Sequence, residues 1–225
     1  MLGRTHAITG VAAALAVAAV THTTASVPLA AYGLAAACAL LPDLDQDQAL
    51  ATHIRGIAPL HFVLKRFRHR RFTHSLLGVT IFGAAMITLW SIIALFLLPL
   101  SFAYPLMAIA GYISHLVADS FNKQGIQLFY PFSPLGIEWW SVPLPRAIRI
   151  STIHDAKEGL AITPARIQAL IHTEKWFFTY PVYALIGWLA WHQIDGLVIA
   201  LKTDVWGLVN AAPAPVAQVL SSLLR

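Results

Sequence analysis

From Ser75 to Leu98 the chain runs through 24 residues without one charged side chain. As an α-helix at 1.5 Å per residue, that stretch is about 36 Å long, against about 30 Å for the hydrocarbon core of a bilayer. Lipid gives backbone N–H and C=O groups no hydrogen-bonding partner, so a crossing segment must be a helix or part of a closed barrel. Four further apolar runs cover about Ile8–Thr24, Val27–Leu41, Phe102–Ala118 and Trp176–Gln193. Charged residues make up 11% of the 225, less than half of the about 25% found in soluble domains. The expectation is an all-α protein: a polytopic transmembrane helix bundle with five spans and an interfacial cap on its cytoplasmic side.

The first two runs are short for a crossing, which takes about 17–25 residues, so either fits a tilted or partly buried helix. Both are crowded with small residues, Ala12, Ala14 and Ala18 in one and Ala31, Gly33 and Ala35 in the other. Such faces let helix backbones approach closely where lipid removes the hydrophobic drive for packing. Thr21–Ser26 and Pro99–Ser101 are tight connections, so the runs pair into two helical hairpins. Arg4 followed by an Ala-rich run is compatible with a cleaved leader, but Thr5, His6 and the second run close behind favour a retained helix. Residues 1–119 read as a four-helix core and 120–175 as a Pro-, Gly- and aromatic-rich cap. Residues 176–225 read as a fifth span flanked by Trp176 and Trp191, with a moderately apolar tail from Gly196 whose side of the membrane stays open.

The connection between runs two and three contains Arg55, Lys65, Arg66, Arg68, Arg70 and Arg71, and that between runs four and five Lys123, Arg146, Arg149, Lys157, Arg166 and Lys175. The opposite turns contain neither Lys nor Arg. The positive-inside rule places both basic connections and the N-terminus in the cytoplasm, and the expectation is an inner-membrane protein. Membrane orientation accounts for the net charge of +5 better than nucleic acid does, because the chain has no basic helix and no interleaving of basic and aromatic residues. Cys38, the single cysteine, forms no internal disulfide and no thiolate metal site; it reads as a packing residue.

Ionisable groups at membrane depth are costly, so those present need partners or a task. His6 opens the first run. Asp43, Asp45 and Asp47 close the second. His69 and His74 precede the third, in His69-Arg70-Arg71-Phe72-Thr73-His74-Ser75, and His115 and Asp119 close the fourth. The charge-derived topology puts all four clusters at one end of the bundle, where metal sites are often built from facing helices. His115 and Asp119, four apart, share a helix face. Imidazole and carboxylate without thiolate suit Zn, with Mn, Fe or Ni as further options. His6, Asp43, Asp45, His74, His115 and Asp119 are the candidate ligands, enough for one or two ions, with His69 as a further ligand or proton carrier. Arg70 has the planar fork to clamp a phosphate oxygen. Each cluster also has a plainer reading: a hydrogen-bonded pair for His115 and Asp119, a helix stop for Pro42-Asp43-Leu44-Asp45, a topogenic charge run around His69 and Arg70. Their assembly on one side weighs against all of these at once. His22, His53, His61, His172 and His192 read as solvated or interfacial; His154, Asp155 and Glu138 are weaker candidates in the cap.

At these clusters the sequence resembles the YdjM family of inner-membrane, metal-dependent hydrolases. The matching pieces are His6, Pro42-Asp43-Leu44-Asp45, His69-Arg70-x-x-Thr73-His74-Ser75, and Ser114-His115-x-x-x-Asp119 followed by Gly125 and Pro131, over about residues 1–135. The family is described as multi-pass, with some members under the LexA DNA-damage regulon. The resemblance implies metal-dependent hydrolysis and no particular substrate.

The functional expectation is a metal-activated water attacking a phosphoester, lipid or lipid-linked, at the cytoplasmic membrane surface, with membrane lipid as the partner and no nucleic acid. A peptide or amide substrate is less favoured. The rival is a non-enzymatic metal-binding protein or transporter, although transporters place polar groups near the bilayer midplane. A third reading has the polar cluster only pinning helices together.

Overall fold

A computed structural model describes residues 3–45, 62, 71–96, 100–121, 126–131, 169, 171–173, 175–214 and 216–218. Among the described residues there are six α-helices: α1 (Gly3–Val20), α2 (Leu29–Cys38), α3 (Leu76–Phe96), α4 (Ala103–Ser120), α5 (Tyr180–His192) and α6 (Ile194–Ala211). Short 3-10 turns cover Thr24–Ser26 and Leu41–Asp45, and a π-helical turn over Lys175–Thr179 leads into α5. No strand occurs among the described residues.

Alanine, the strongest helix former, carries α1. The helix stops where His22 takes a left-handed conformation, φ 54. Thr23 N–H then bonds the Ala18 carbonyl at 3.0 Å and His22 N–H the Ala19 carbonyl at 3.2 Å. This is the Schellman pattern, with histidine where glycine is usual. It reverses the chain into α2, and the first hairpin forms as expected. The second hairpin is tied by Trp90, whose indole N–H donates to the Leu100 carbonyl at 3.0 Å.

α1, α2 and α4 pack on one another, α5 packs on α1, and α3 packs on α4. The three-helix centre closes around Ala35: a Cβ at Gly10 or at Gly111 would overlap its carbonyl oxygen. Backbone therefore lies against backbone at this level, as small-residue faces permit. The interior is Ala14, Leu15, Ala18, Val27, Ala31, Ala35 and Met107. α3 buries only Gly78 and Gly83 and turns Ile81, Ile87, Leu89, Ile92, Leu95 and Phe96 outward, the surface of a helix that meets lipid.

The five expected spans are not five equal helices. α1 and α3 are each long and apolar enough to cross a membrane, and α5 with α6 makes a third candidate if the pair counts as one bent span. α2 has ten residues, about 15 Å of helix, too little to cross alone. It packs one face, Ala31, Tyr32, Ala35 and Cys38, against α1 and α4, and the chain continues beyond it as the Leu41–Asp45 turn. The stretch from Gly196, read as a tail, is helical as α6. It leaves α5 at 77°. Gln193 sits at the bend and locks it to the first hairpin, hydrogen-bonding Thr24 and donating to the Leu15 carbonyl. Most of the expected cap, including Glu138, His154 and Asp155, lies outside the described residues. Its described beginning packs against the bundle: Ile126 is buried on Tyr112 and Leu116, and Leu76 N–H bonds the Leu128 carbonyl at 2.8 Å.

Candidate metal centre

One end of the bundle gathers the beginning of α1, the turn after α2, the turn before α3 and the last turns of α4. These elements bring His6, Asp43, His74, His115 and Asp119 together. The three histidines are fully buried, Asp119 is 1% exposed and Asp43 8%. Ligand atoms of Asp43, His74, His115 and Asp119 all lie within 4.8 Å of one another, a set that could hold a metal ion.

Each side chain is aimed by its backbone. His115 and Asp119 lie one helical turn apart on α4, so both project to the same side. Just past α2, the Ala39 carbonyl accepts a 2.7 Å hydrogen bond from His115 Nδ1. That bond assigns the Nδ1 proton and leaves the Nε2 lone pair free in the neutral ring, the usual arrangement of a metal-binding histidine. His74 Nδ1 lies 2.9 Å from Thr73 Oγ1. The turn carrying His74 is held by Tyr112 on α4, whose hydroxyl donates to the Thr73 carbonyl at 2.6 Å. It is also pressed on Gly78, where a Cβ would overlap the Phe72 carbonyl oxygen. Ser75 caps the start of α3, with Gly78 N–H donating to its Oγ at 3.1 Å.

The outcome is two imidazole Nε2 atoms, of His74 and His115, facing each other at 3.1 Å with carboxylates on either side. Asp43 Oδ1 is 3.5 Å from His115 Nε2 and 3.7 Å from His74 Nε2. Asp119 Oδ2 is 3.5 Å from His74 Nε2 and 3.8 Å from His115 Nε2. His6 stacks on His115, ring centroids 3.7 Å apart. Neither of its ring nitrogens makes a hydrogen bond among the described residues. Burial works against a charged Asp43, yet His115, His74 and His6 around it hold its carboxyl well below the usual range. Two buried carboxylates beside imidazole nitrogens make a donor set suited to a cation. The donor set, imidazole and carboxylate, fits a divalent metal of the Zn, Mn or Fe type.

Five of the eight expected site residues are thus assembled. His69 and Arg70 lie outside the described residues, and so does the side chain of Asp45. Among the other histidines, His22 ends α1, while His172 and His192 are exposed on the rings of Trp176 and Trp188. Cys38 is buried, as expected. Three contributors were not foreseen: the Ala39 carbonyl, the Tyr112 hydroxyl and Thr5, buried beside His6 with its Oγ1 3.4 Å from Thr179 Oγ1. A carbonyl leaves no mark in a sequence. Tyr112, three residues before His115, shares its helix face and was the one legible signal.

A family model described as YdjM inner membrane protein matches residues 1–202. The match extends past the 135 residues over which the resemblance was read and takes in α5 and part of α6. No curated protein and no solved structure matches the chain.

Proposed function

The chain belongs to the YdjM family of inner membrane proteins, and from that premise we propose that it is a membrane-bound metal-dependent hydrolase. The observation that carries this reading is the convergence of the His74 and His115 Nε2 atoms at 3.1 Å, between two buried carboxylates. Asp43, His74, His115 and Asp119 are the residues that would hold the ion. A bound divalent ion supplies a Lewis acid and a water whose pKa falls to about 7.

The protein's own groups do the rest. Ala39 orients His115 through its carbonyl, and Tyr112 and Thr73 orient His74. Near-complete burial excludes bulk water, which strengthens every charge interaction inside the site. Asp45 adds a further carboxylate ligand, His69 a proton carrier and Arg70 a clamp on a phosphate oxygen. With the basic connections in the cytoplasm, the site lies at the inner-surface end of a multi-pass protein. A phosphoester carried on a lipid is the substrate class that meets such a site without leaving the membrane.

Detergent-purified protein should contain stoichiometric metal and release phosphate or alcohol from a panel of lipid phosphoesters. His115→Ala and Asp119→Ala should lose metal and turnover together. Metal flux in proteoliposomes with no hydrolysis of any panel member would give the function to the transporter reading. Purified protein free of metal under all loading conditions would reduce the cluster to a helix-pinning role.

A further inference from the structure

The two buried carboxylates each face two ways. Asp43 turns Oδ1 toward His115 and His74, while its Oδ2 lies 4.0 Å from His6 Nε2. Asp119 turns Oδ2 toward His74 and His115, while its Oδ1 lies 3.3 Å from His6 Nε2. One oxygen of each carboxylate therefore belongs to the His74/His115 side of the centre and the other to the His6 side.

His6 is the group that a single ion leaves without a task. It is fully buried, its Nε2 approaches the Asp119 carboxylate at 3.3 Å, and neither ring nitrogen makes a well-aligned hydrogen bond among the described residues. Its ring lies nearly parallel to that of His115, 19° between planes and 3.7 Å between centroids. Each of the two rings turns its Nε2 toward the same pair of carboxylates, His115 at 3.5 and 3.8 Å and His6 at 4.0 and 3.3 Å from Asp43 and Asp119. In two-metal sites the ions are about 3.5–4 Å apart, a spacing that matches the stacked rings.

We propose that the centre binds two divalent cations. One is held by His74 and His115 and the other by His6, with Asp43 and Asp119 bridging the two through both oxygens. This rests on the metal-centre reading above and assigns its nuclearity. The first position has four protein donors and the second three, so the His6 position is the more open of the two. Open positions are where catalytic ions meet water and substrate. Two dications against two carboxylates also leave the centre with net positive charge, which suits an anionic ligand such as a phosphate ester whose oxygens can span both ions.

The full chain, purified in detergent and stripped of metal, is loaded with Mn(II) and examined by elemental analysis and low-temperature electron paramagnetic resonance. Two Mn per chain with an exchange-coupled spectrum is the expected result, and His6→Ala should bind one Mn with the six-line signal of an isolated ion. One Mn per wild-type chain with an isolated-ion signal overturns the second cation while leaving a mononuclear hydrolase standing. No binding of Mn, Zn or Fe by wild type overturns the metal-centre reading as well. If His6→Ala does not fold, the wild-type count and spectrum decide by themselves.

Discussion

His115 on α4 donates its Nδ1 proton to the carbonyl of Ala39, the residue after α2, at 2.7 Å. One hydrogen bond thus ties two helices, selects the imidazole tautomer and points the Nε2 lone pair at Asp43 and Asp119. Replacing the ring removes all three effects. His115→Ala should weaken metal binding by more than about 100-fold, beyond the 10–100-fold typical of outer-shell changes. Isothermal titration of the stripped protein checks this, and wild-type affinity in the variant would remove His115 from the ligand set.

Tyr112 holds the turn that aims His74 through its hydrogen bond to the Thr73 carbonyl. Tyr112→Phe keeps the ring on Phe82, where the centroids are 4.5 Å apart, and deletes only the hydroxyl. Metal affinity should drop about 10–100-fold with a stability loss of about 1 kcal/mol. A loss of stability with unchanged metal affinity would confine Tyr112 to packing.

The helix contact at Ala35 has almost no spare volume. Gly111→Ala pushes a methyl into the Ala35 carbonyl and should cost about 1–3 kcal/mol, seen as a lower Tm in detergent. Gly33→Ala on the same α2 meets nothing within 4 Å, so its Tm should stay level or rise through the better helix propensity of alanine. Equal Tm values for the two variants would contradict the close approach.

Asp204 on α6 accepts a 2.8 Å hydrogen bond from the Leu29 N–H, the first of α2. It acts as an N-cap supplied from another helix, and negative charge is favoured at that end. Asp204→Ala should lower stability by about 0.5–2 kcal/mol and leave metal content unchanged, because the start of α2 lies at the opposite end of the helix from Asp43.

Metal should stabilise the fold as well as the reaction. Without a cation, Asp43 and Asp119 are two buried acids around a common point. Ligand at 100 times its Kd stabilises the native state by about 2.7 kcal/mol. Chelation should lower Tm, and adding back Zn or Mn should restore it. A Tm indifferent to chelator, with metal loss verified by elemental analysis, would speak against these residues as ligands.

The histidines and aspartates of the centre were legible because charge is scarce here. In a chain that avoids ionisable groups in its apolar runs, His6, Asp43, His74, His115 and Asp119 stand out, and alternation of the runs sends them to one end. What stayed hidden involves the backbone or the relation between distant elements. The Ala39 carbonyl and the overlap of Gly10 and Gly111 with Ala35 have no residue-type signature. Nor does composition show that α2 stops at Cys38, since Ala39, Leu40 and Leu41 are as apolar as the residues inside it, or that a second helix follows the run that ends at Gln193.

Residue types and their spacing alone determined that this chain is a helical membrane protein with imidazole and carboxylate side chains at the ends of its apolar runs, because lipid forbids unpaired backbone and penalises every charge it meets. Only the tertiary structure decided which of those side chains meet, which oxygen of each aspartate faces which histidine, and that His6 stacks on His115. Those outcomes depend on interatomic distances of a few ångströms between separate helices, set by how closely glycine and alanine let their backbones approach.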